Sequence, residues 1–347
     1  MAPHEQLVAG ILRGETRAVA RACRVVDERW PGHVELLESL YPHAKGSWFI
    51  GVTGSPGVGK STLTSRLIQH LRASGRRVGV VAVDPTSPFT GGAILGDRIR
   101  MQAHWADPDV FVRSLATRGA VGGLSRTAAD VARVLGAWGA QVVLIETVGV
   151  GQDELEVMHV AHSTLVVQAP GAGDDLQAAK AGLMECADVF AVNKADRAGA
   201  DAAVQHLRGM LALGLSLIRG AGTEHPPSFG HAAAFMPAPS PPAEGDGAWA
   251  VPVLSCVAAR DSGVAEVLAE LERHARWLND TARGRERRAL RLRQELTALI
   301  RDALSVALFE RHREEIERAA ERVAADEADP YSASRALVGS WLPTAIG

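Results

Sequence analysis

Cysteine is scarce in this sequence, and what little there is lies scattered. The three cysteines, Cys23, Cys186 and Cys256, share no short spacing, which excludes a disulfide framework and a cysteine-ligated zinc site and leads us to expect a reducing compartment. No apolar run approaches the roughly 18 residues that a membrane-spanning helix needs. Met1-Ala-Pro-His-Glu5 has no basic stretch followed by an apolar one, so neither a membrane partner nor secretion is expected and the assignment is cytoplasmic. A dominant charge is missing too: a formal net charge of -3 gives no electrostatic case for nucleic acid or an anionic membrane. Arg283, Arg285, Arg287, Arg288, Arg291 and Arg293 alternate with Glu286 and Glu295 and read as a solvated helix face. There is no internal repeat and no evident Ser/His/Asp triad. His159 and His162 lack a third ligand at a suitable spacing, which favours packing over metal binding.

What the chain does have is a phosphate loop in its required setting. The apolar run Trp48-Phe-Ile-Gly-Val-Thr53 leads into Gly54, Ser55, Pro56, Gly57, Val58, Gly59, Lys60, Ser61 and Thr62, the form G-x-x-x-x-G-K-[ST]. Glycines let a backbone wrap a phosphate chain with its N–H groups inward, and the following helix adds partial positive charge at its N-terminus. In this pattern Lys60 bridges the β- and γ-phosphates and the Ser61 hydroxyl is a Mg²⁺ ligand. Leu63, Leu67, Ile68 and Leu71 give the next segment one apolar helical face.

The base is indicated further on. Asn193-Lys194-Ala195-Asp196 ends the apolar run 187–192, at a strand's C-terminal edge, where doubly wound sheets bind ligands. A carboxylate at Asp196 can accept the ring N–H and the exocyclic amino hydrogens of guanine, which adenine does not present there. An acceptor left unpaired by the wrong base rejects it by roughly 10⁴-fold, so GTP is expected over ATP. A softer signal is Ser255-Cys256-Val257, where a backbone N–H could meet the guanine carbonyl. Its thiol stands either as an oxidisable group or as a buried one.

At 347 residues and 47% hydrophobic content the chain can build one large core with appendages. Residues 1–45 read as an N-terminal helical extension, broken at Pro31-Gly32. From 46 to 279 strand-like runs at 48–53, 78–83, 142–146, 164–168, 188–192 and 251–255 alternate with helical ones, which predicts an α/β domain with a mostly parallel sheet. Its segment 220–247, rich in proline, reads as a mobile inserted loop. Residues 280–347 turn to long helices with an apolar stripe at Leu290, Leu296, Leu299, Ile300, Leu304, Ala307 and Leu308. Such an arm must pack on the main domain or on a second copy, and a helical dimerisation arm is the favoured reading.

Candidate metal and switch residues fall between the nucleotide motifs. Glu146 ends the buried run Val142-Val-Leu-Ile-Glu146 and precedes Thr-Val-Gly149-Val-Gly-Gln152, the place for a carboxylate near Mg²⁺ and a γ-phosphate sensor. Gly149 lets its N–H approach that phosphate. Asp84 lies at a strand end and Asp97 follows Gly91-Gly92-Ala-Ile-Leu-Gly96, as a loop that carries an acid to the metal or the attacking water would. A further passage, Pro170-Gly171-Ala-Gly173-Asp174, precedes Gln177 and Lys180, which share a helical face and could report nucleotide state. The catalytic candidates are thus Lys60, Asp97, Glu146, Gly149 and Lys180; the metal candidates are Ser61, Asp84, Asp97 and Glu146; the switch candidates are Gly149, Gln152, Gln177 and Lys180.

Together, Gly54–Thr62, Asp84-Pro85 with Gly91–Asp97, Glu146–Gln152, Pro170–Asp174 and Asn193–Asp196 closely resemble the MeaB/ArgK family, G-protein chaperones of coenzyme-B12-dependent acyl-CoA mutases. The resemblance covers about residues 5–215 and 249–340 and includes Asp329-Pro330-Tyr331-Ser-Ala333. It implies a P-loop NTPase fold of the SIMIBI class that binds GTP/GDP with Mg²⁺ and hydrolyses GTP. It further implies binding to a mutase, where hydrolysis gates delivery of the client's adenosylcobalamin or removal of damaged cofactor, with an adenosyltransferase as a further candidate partner. Residues matching Asp97 and Glu146 would serve the metal, those matching Gln177 and Lys180 an additional switch, and the C-terminal arm a homodimer. The 220–247 insertion departs from the family pattern. Two alternatives stay open: a kinase of an amino-acid-transport periplasmic binding protein, for which no dedicated general base is seen, and a metal-insertion GTPase, for which no His-rich or Cys-x-x-Cys segment is seen. The chain has no Asp-x-His-x-x-Gly cobalamin motif and is not read as a mutase.

Overall fold

The computed structural model describes residues 3–84, 104, 106–116, 123–147, 160–171, 186–220 and 247–341. Strands β1 Trp48–Thr53, β2 Val78–Asp84, β3 Val110–Ala116, β4 Val142–Glu146, β5 Ser163–Gln168, β6 Val189–Val192 and β7 Val253–Ser255 form one sheet. Its order is β3-β2-β4-β1-β5-β6-β7, and every pairing is parallel. The helices are α1 Pro3–Leu12, α2 Thr16–Asp27, α3 His33–Leu40, α4 Lys60–Ala73, α5 Gly123–Ala137, α6 Ala200–Gly220, α7 Val264–Asp280, α8 Ala282–Arg311, α9 Arg313–Ala324 and α10 Pro330–Trp341. None of the described helices is long and apolar enough to cross a membrane. The α/β fold with a parallel sheet is as expected from the alternation of runs.

A parallel sheet must be covered on both faces, because its crossovers lay helices on each side. Strand β4 shows how the sequence meets that demand. All five of its residues are buried, with Val142 and Leu144 packing into one core beside α4 and α7. Val143 and Ile145 pack into the other, beside α1, α2, α3 and α5. The three N-terminal helices therefore help to roof the sheet, through buried Ile11, Val19, Cys23, Leu36 and Leu40. A smaller cluster around Phe190, Val192, Leu207 and Val253 lies under α6.

Strand β3 was not among the expected runs. It lies at the sheet edge beside β2, six of its seven residues are half-exposed, and Arg113 and Ser114 interrupt its apolar pattern. Arg113 is placed there by an ion pair, its Nη2 3.0 Å from Asp27 Oδ2 of α2.

The opposite end of the sheet from β4's Glu146 carries a buried polar chain. Trp48 Nε1 donates to Ser163 Oγ at 3.0 Å, Ser163 Oγ lies 2.8 Å from His274 Nδ1, and His274 Nε2 lies 3.4 Å from Asp188 Oδ1. The Thr164 N–H donates to Asp188 Oδ2 at 2.8 Å, and Arg287 Nη2 lies 2.6 Å from Asp188 Oδ1. Hydroxyl, imidazole and carboxylate do line up, yet His274 and Asp188 are 0% and 1% exposed, so no substrate reaches them and the chain is structural. Stripping one partner from such a buried pair costs about 3–5 kcal/mol. The arginine run is thus not simply a solvated face: Arg287 anchors Asp188, while Arg285 donates to the Asn279 and Asp280 carbonyls at the α7–α8 corner.

The chain divides into two compact units, Met1–Arg288 and Ala289–Gly347. Within the second, His312 stacks on Trp341 with ring centroids 4.5 Å apart, and Trp341 Nε1 donates to Glu315 Oε2 at 2.8 Å, tying α9 to α10.

Candidate active site

Strand β1 lies between β4 and β5, and the chain leaves β1 toward β2 but leaves its neighbour β4 toward β5 on the other side, so a crevice opens at the C-terminal ends of β1 and β4. Residues 54–59 turn there, and α4 begins at Lys60 with Gly59 as its N-cap, in the left-handed region at φ 97°. Two glycines are dictated by space as well as by φ. A Cβ on Gly54 would strike the Val167 carbonyl of β5, and one on Gly59 would strike the Asn193 amide. The loop is therefore pressed against its neighbours by backbone alone.

Lys60 is buried, and its Nζ donates to Gly54 O at 2.6 Å and Ser55 O at 3.1 Å. It thus spans its own loop. One residue on, Ser61 Oγ donates to Glu146 Oε1 at 2.6 Å. That contact joins positions 85 residues apart and brings together two of the four candidate metal residues. A hydroxyl and a carboxylate make a hard oxygen donor pair, the kind that Mg²⁺ takes beside waters and substrate phosphates. The residues present thus fit that ion. Among the described residues no group of three His, Cys, Asp or Glu gathers as a metal site.

Asp84 closes β2, its backbone in register with Ala116. Asp97, Gly149, Gln152, Gln177 and Lys180 lie outside the described residues, as do Gly91–Gly96 and His159, and so does segment 220–247 apart from its end residues. His162 is in a packing role: it stacks on Phe49 with centroids 4.8 Å apart, and the Phe49 N–H donates to its Nδ1 at 3.0 Å.

Asn193 joins the two halves of the site. Its Nδ2 donates to Val58 O at 2.9 Å, and its Oδ1 accepts the Ala258 N–H at 3.0 Å. Lys194, at φ 59°, donates to Gly57 O at 2.5 Å. Asp196 Oδ2 lies 3.3 Å from Arg260 Nη2.

Of the expected trio after β7, Ser255 is exposed, Cys256 is buried and Val257 is half-buried. The Cys256 N–H is donated to Val192 O at 2.9 Å and the Val257 N–H to Ser262 O at 2.8 Å. Cys256 lies against the Asn193–Asp196 segment, its carbonyl accepting the Ala195 N–H at 3.0 Å and its Sγ 3.7 Å from Asn193 Oδ1. The short 3₁₀ turn Ala258–Arg260 that follows also reaches Asn193 and Asp196. The small residues Ala258 and Ala259 carry no side-chain signal that would mark this turn in the sequence. Burial pushes the Cys256 thiol up to about 11, so it stays protonated and inert.

Comparison with known proteins extends this picture. A family model described as "Methylmalonyl Co-A mutase-associated GTPase MeaB" matches residues 19–313. A protein of Pyrococcus abyssi, provisionally designated a GTPase, is 39% identical over 343 residues, covering 97% of this chain and 98% of its own length. The mitochondrial methylmalonic aciduria type A homolog of Caenorhabditis briggsae is 34% identical over 207 residues, covering 55% of this chain and 50% of its own. Among solved structures, one described as an LAO/AO transport system kinase has a TM-score of 0.62 at 22% identity over 98% of both chains, a likeness of fold.

Proposed function

This chain belongs to the MeaB family of GTPases, and we propose that it couples GTP hydrolysis to the service of a coenzyme-B12-dependent acyl-CoA mutase, gating loading of adenosylcobalamin or removal of damaged cofactor. The observation that carries the nucleotide chemistry is the Ser61–Glu146 contact at 2.6 Å, one residue from Lys60 and at the reversal point of the sheet. The mutase reading draws its support from the family description and from the likeness to the methylmalonic aciduria protein.

Phosphoryl transfer to water asks a protein mainly for positioning and charge neutralisation. Residues 54–59 wrap the phosphates with backbone N–H groups, and the N-terminus of α4 adds its partial positive charge. Lys60 exchanges its two loop carbonyls for the β- and γ-phosphate oxygens. Ser61 and Glu146, with Asp84 and Asp97 as further candidates, would hold Mg²⁺. When bound, that ion would supply neutralisation of the phosphate charge. Asp196 reads the guanine edge, and Asn193 holds the reading segment against the phosphate loop. Gly149, Gln152, Gln177 and Lys180 are the proposed switch residues by which nucleotide state reaches the mutase.

Leu292, Leu296, Ile300 and Leu304 recur every four residues along α8 and are each more than half exposed. Such a ridge suits packing against a second copy, and we read the C-terminal helices as a homodimer arm. Sedimentation of Leu296→Asp as a monomer beside a dimeric parent would bear this out.

The decisive experiment measures GTP hydrolysis by the purified chain, alone and with each B12-dependent acyl-CoA mutase of the same organism. Acceleration by one mutase names the client. Unchanged turnover with all of them removes the mutase role and leaves the GTPase.

A further inference from the structure

Helix α4 does more than begin at the phosphate loop: six residues after Lys60, it also holds the turn after β7. Arg66 Nε donates to Ala258 O at 3.1 Å and its Nη2 to Ala259 O at 3.2 Å. The remaining arm, Nη1, donates to Gln69 Oε1 at 2.9 Å, which fixes the guanidinium plane. One turn further along α4, His70 Nε2 lies 2.9 Å from Asp261 Oδ1. The turn is short and strained at its end, with Asp261 at φ 56°. Its flank is set by backbone crowding, since a Cβ on Gly263 would strike the Ser255 carbonyl. Within the turn Ala258 O already accepts the Asp261 N–H at 3.2 Å, and a guanidinium fork matches two consecutive carbonyls where a single ammonium cannot.

We propose that Arg66 is a positioning residue for base selection, acting through the Ala258–Arg260 turn. A trans peptide is planar, so a carbonyl and the following N–H point to opposite sides. Holding Ala258 O toward α4 therefore turns the Ala259 N–H away from α4. On the turn's other contacts, Ala258 N–H meets Asn193 Oδ1 and Arg260 reaches Asp196, so the turn borders the segment that reads the base. The polar contacts close a ring: Val58 of the phosphate loop, Asn193, Ala258, Arg66, and back through α4 to Lys60. Through that ring the backbone donor for the guanine carbonyl keeps a fixed distance from the phosphates. The proposal rests on the reading of Asn193–Asp196 as the guanine site and adds to it the residue that aims the turn.

The test compares binding of GTP, ITP and ATP to the wild-type chain and to Arg66→Ala, Arg66→Lys and Gln69→Ala. Inosine keeps the guanine carbonyl and ring N–H but lacks the amino group, whereas adenine lacks the carbonyl. With two charge-assisted hydrogen bonds gone, Arg66→Ala should lower the GTP-to-ATP affinity ratio by about tenfold or more while leaving the GTP-to-ITP ratio unchanged. Arg66→Lys and Gln69→Ala should fall between it and wild type. A general loosening would weaken all three nucleotides in proportion, and an unchanged GTP-to-ATP ratio would overturn the proposal. Should Arg66→Ala fail to fold, constant ratios in the other two variants would overturn it equally. Wild-type protein with no preference for GTP over ATP would instead remove the guanine reading itself.

Discussion

The side-chain amide of Asn193 donates to the backbone carbonyl of Val58 across 2.9 Å, while its oxygen accepts the Ala258 N–H at 3.0 Å. One buried side chain thus ties the loop 54–59 to the end of β6 and to the turn after β7. Asn193→Ala leaves a carbonyl and an N–H without their partner, a loss of about 1–3 kcal/mol in stability. It should also weaken GTP by about tenfold or more, since both halves of the site lose their common reference. A calorimetric melt and a nucleotide titration on the same preparation check the two effects. Weakened binding with an unmoved melt would mean that Asn193 meets the ligand directly.

Lys60 is buried, and its Nζ donates to the Gly54 and Ser55 carbonyls of its own loop. Lys60→Ala should therefore leave the fold in place and lower kcat by at least about a hundredfold, the loss typical of a removed transition-state donor. Phosphate release and far-UV circular dichroism measure the two sides. Retained turnover would dismiss the phosphate-loop assignment.

Which parts of this molecule could be read from sequence follows from how local their signals are. The phosphate loop and α4 were legible because glycines, Lys60 and a period of four apolar residues sit together, and Leu63, Leu67, Ile68 and Leu71 are all fully buried. Six strands were legible as apolar runs. Strand β3 was not, because an edge strand needs only one partner and tolerates Arg113 in its middle. Asp188 opens the strand-like run 188–192, where the neighbouring sequence gives it no role. Its role comes in part from Arg287, 99 positions further along the chain, and no short window of sequence contains both. Arg66 was equally silent, its carbonyl partners lying 192 and 193 residues on.

Asp196 and Arg260 are paired at 3.3 Å, with side chains 36% and 73% exposed. An ion pair this open to water is worth less than about 1 kcal/mol. It cannot hold the carboxylate against a ligand that offers it two donors. Arg260→Ala should leave nucleotide preference where it is, whereas Asp196→Asn should move it from GTP toward xanthosine triphosphate, whose second carbonyl accepts from the new amide. Competition binding with the two triphosphates decides this. Unchanged GTP preference in Asp196→Asn would place base reading on other residues.

Acid should loosen the α4 side of the first unit, and His104 gives the reason. Its Nε2 lies 2.8 Å from Ser65 Oγ on α4, and the side chain is buried. Burial holds its pKa below the ordinary imidazole value, partly offset by the nearby Asp107 carboxylate. A base whose folded pKa is depressed binds its proton more readily in the unfolded chain. Its contribution is fully present above the ordinary value near 6.5 and is lost as pH falls toward the folded value. Asp107 adds a separate loss at lower pH: the Arg72 hydrogen bond holds its pKa below the carboxylate norm, so its share disappears only as that carboxylate protonates. The melting temperature should therefore drop between about pH 7.5 and about pH 5.5, and His104→Gln, which keeps a hydrogen-bonding group without titrating, should drop less across the same interval. An equal drop in both proteins would assign the acid sensitivity to another group.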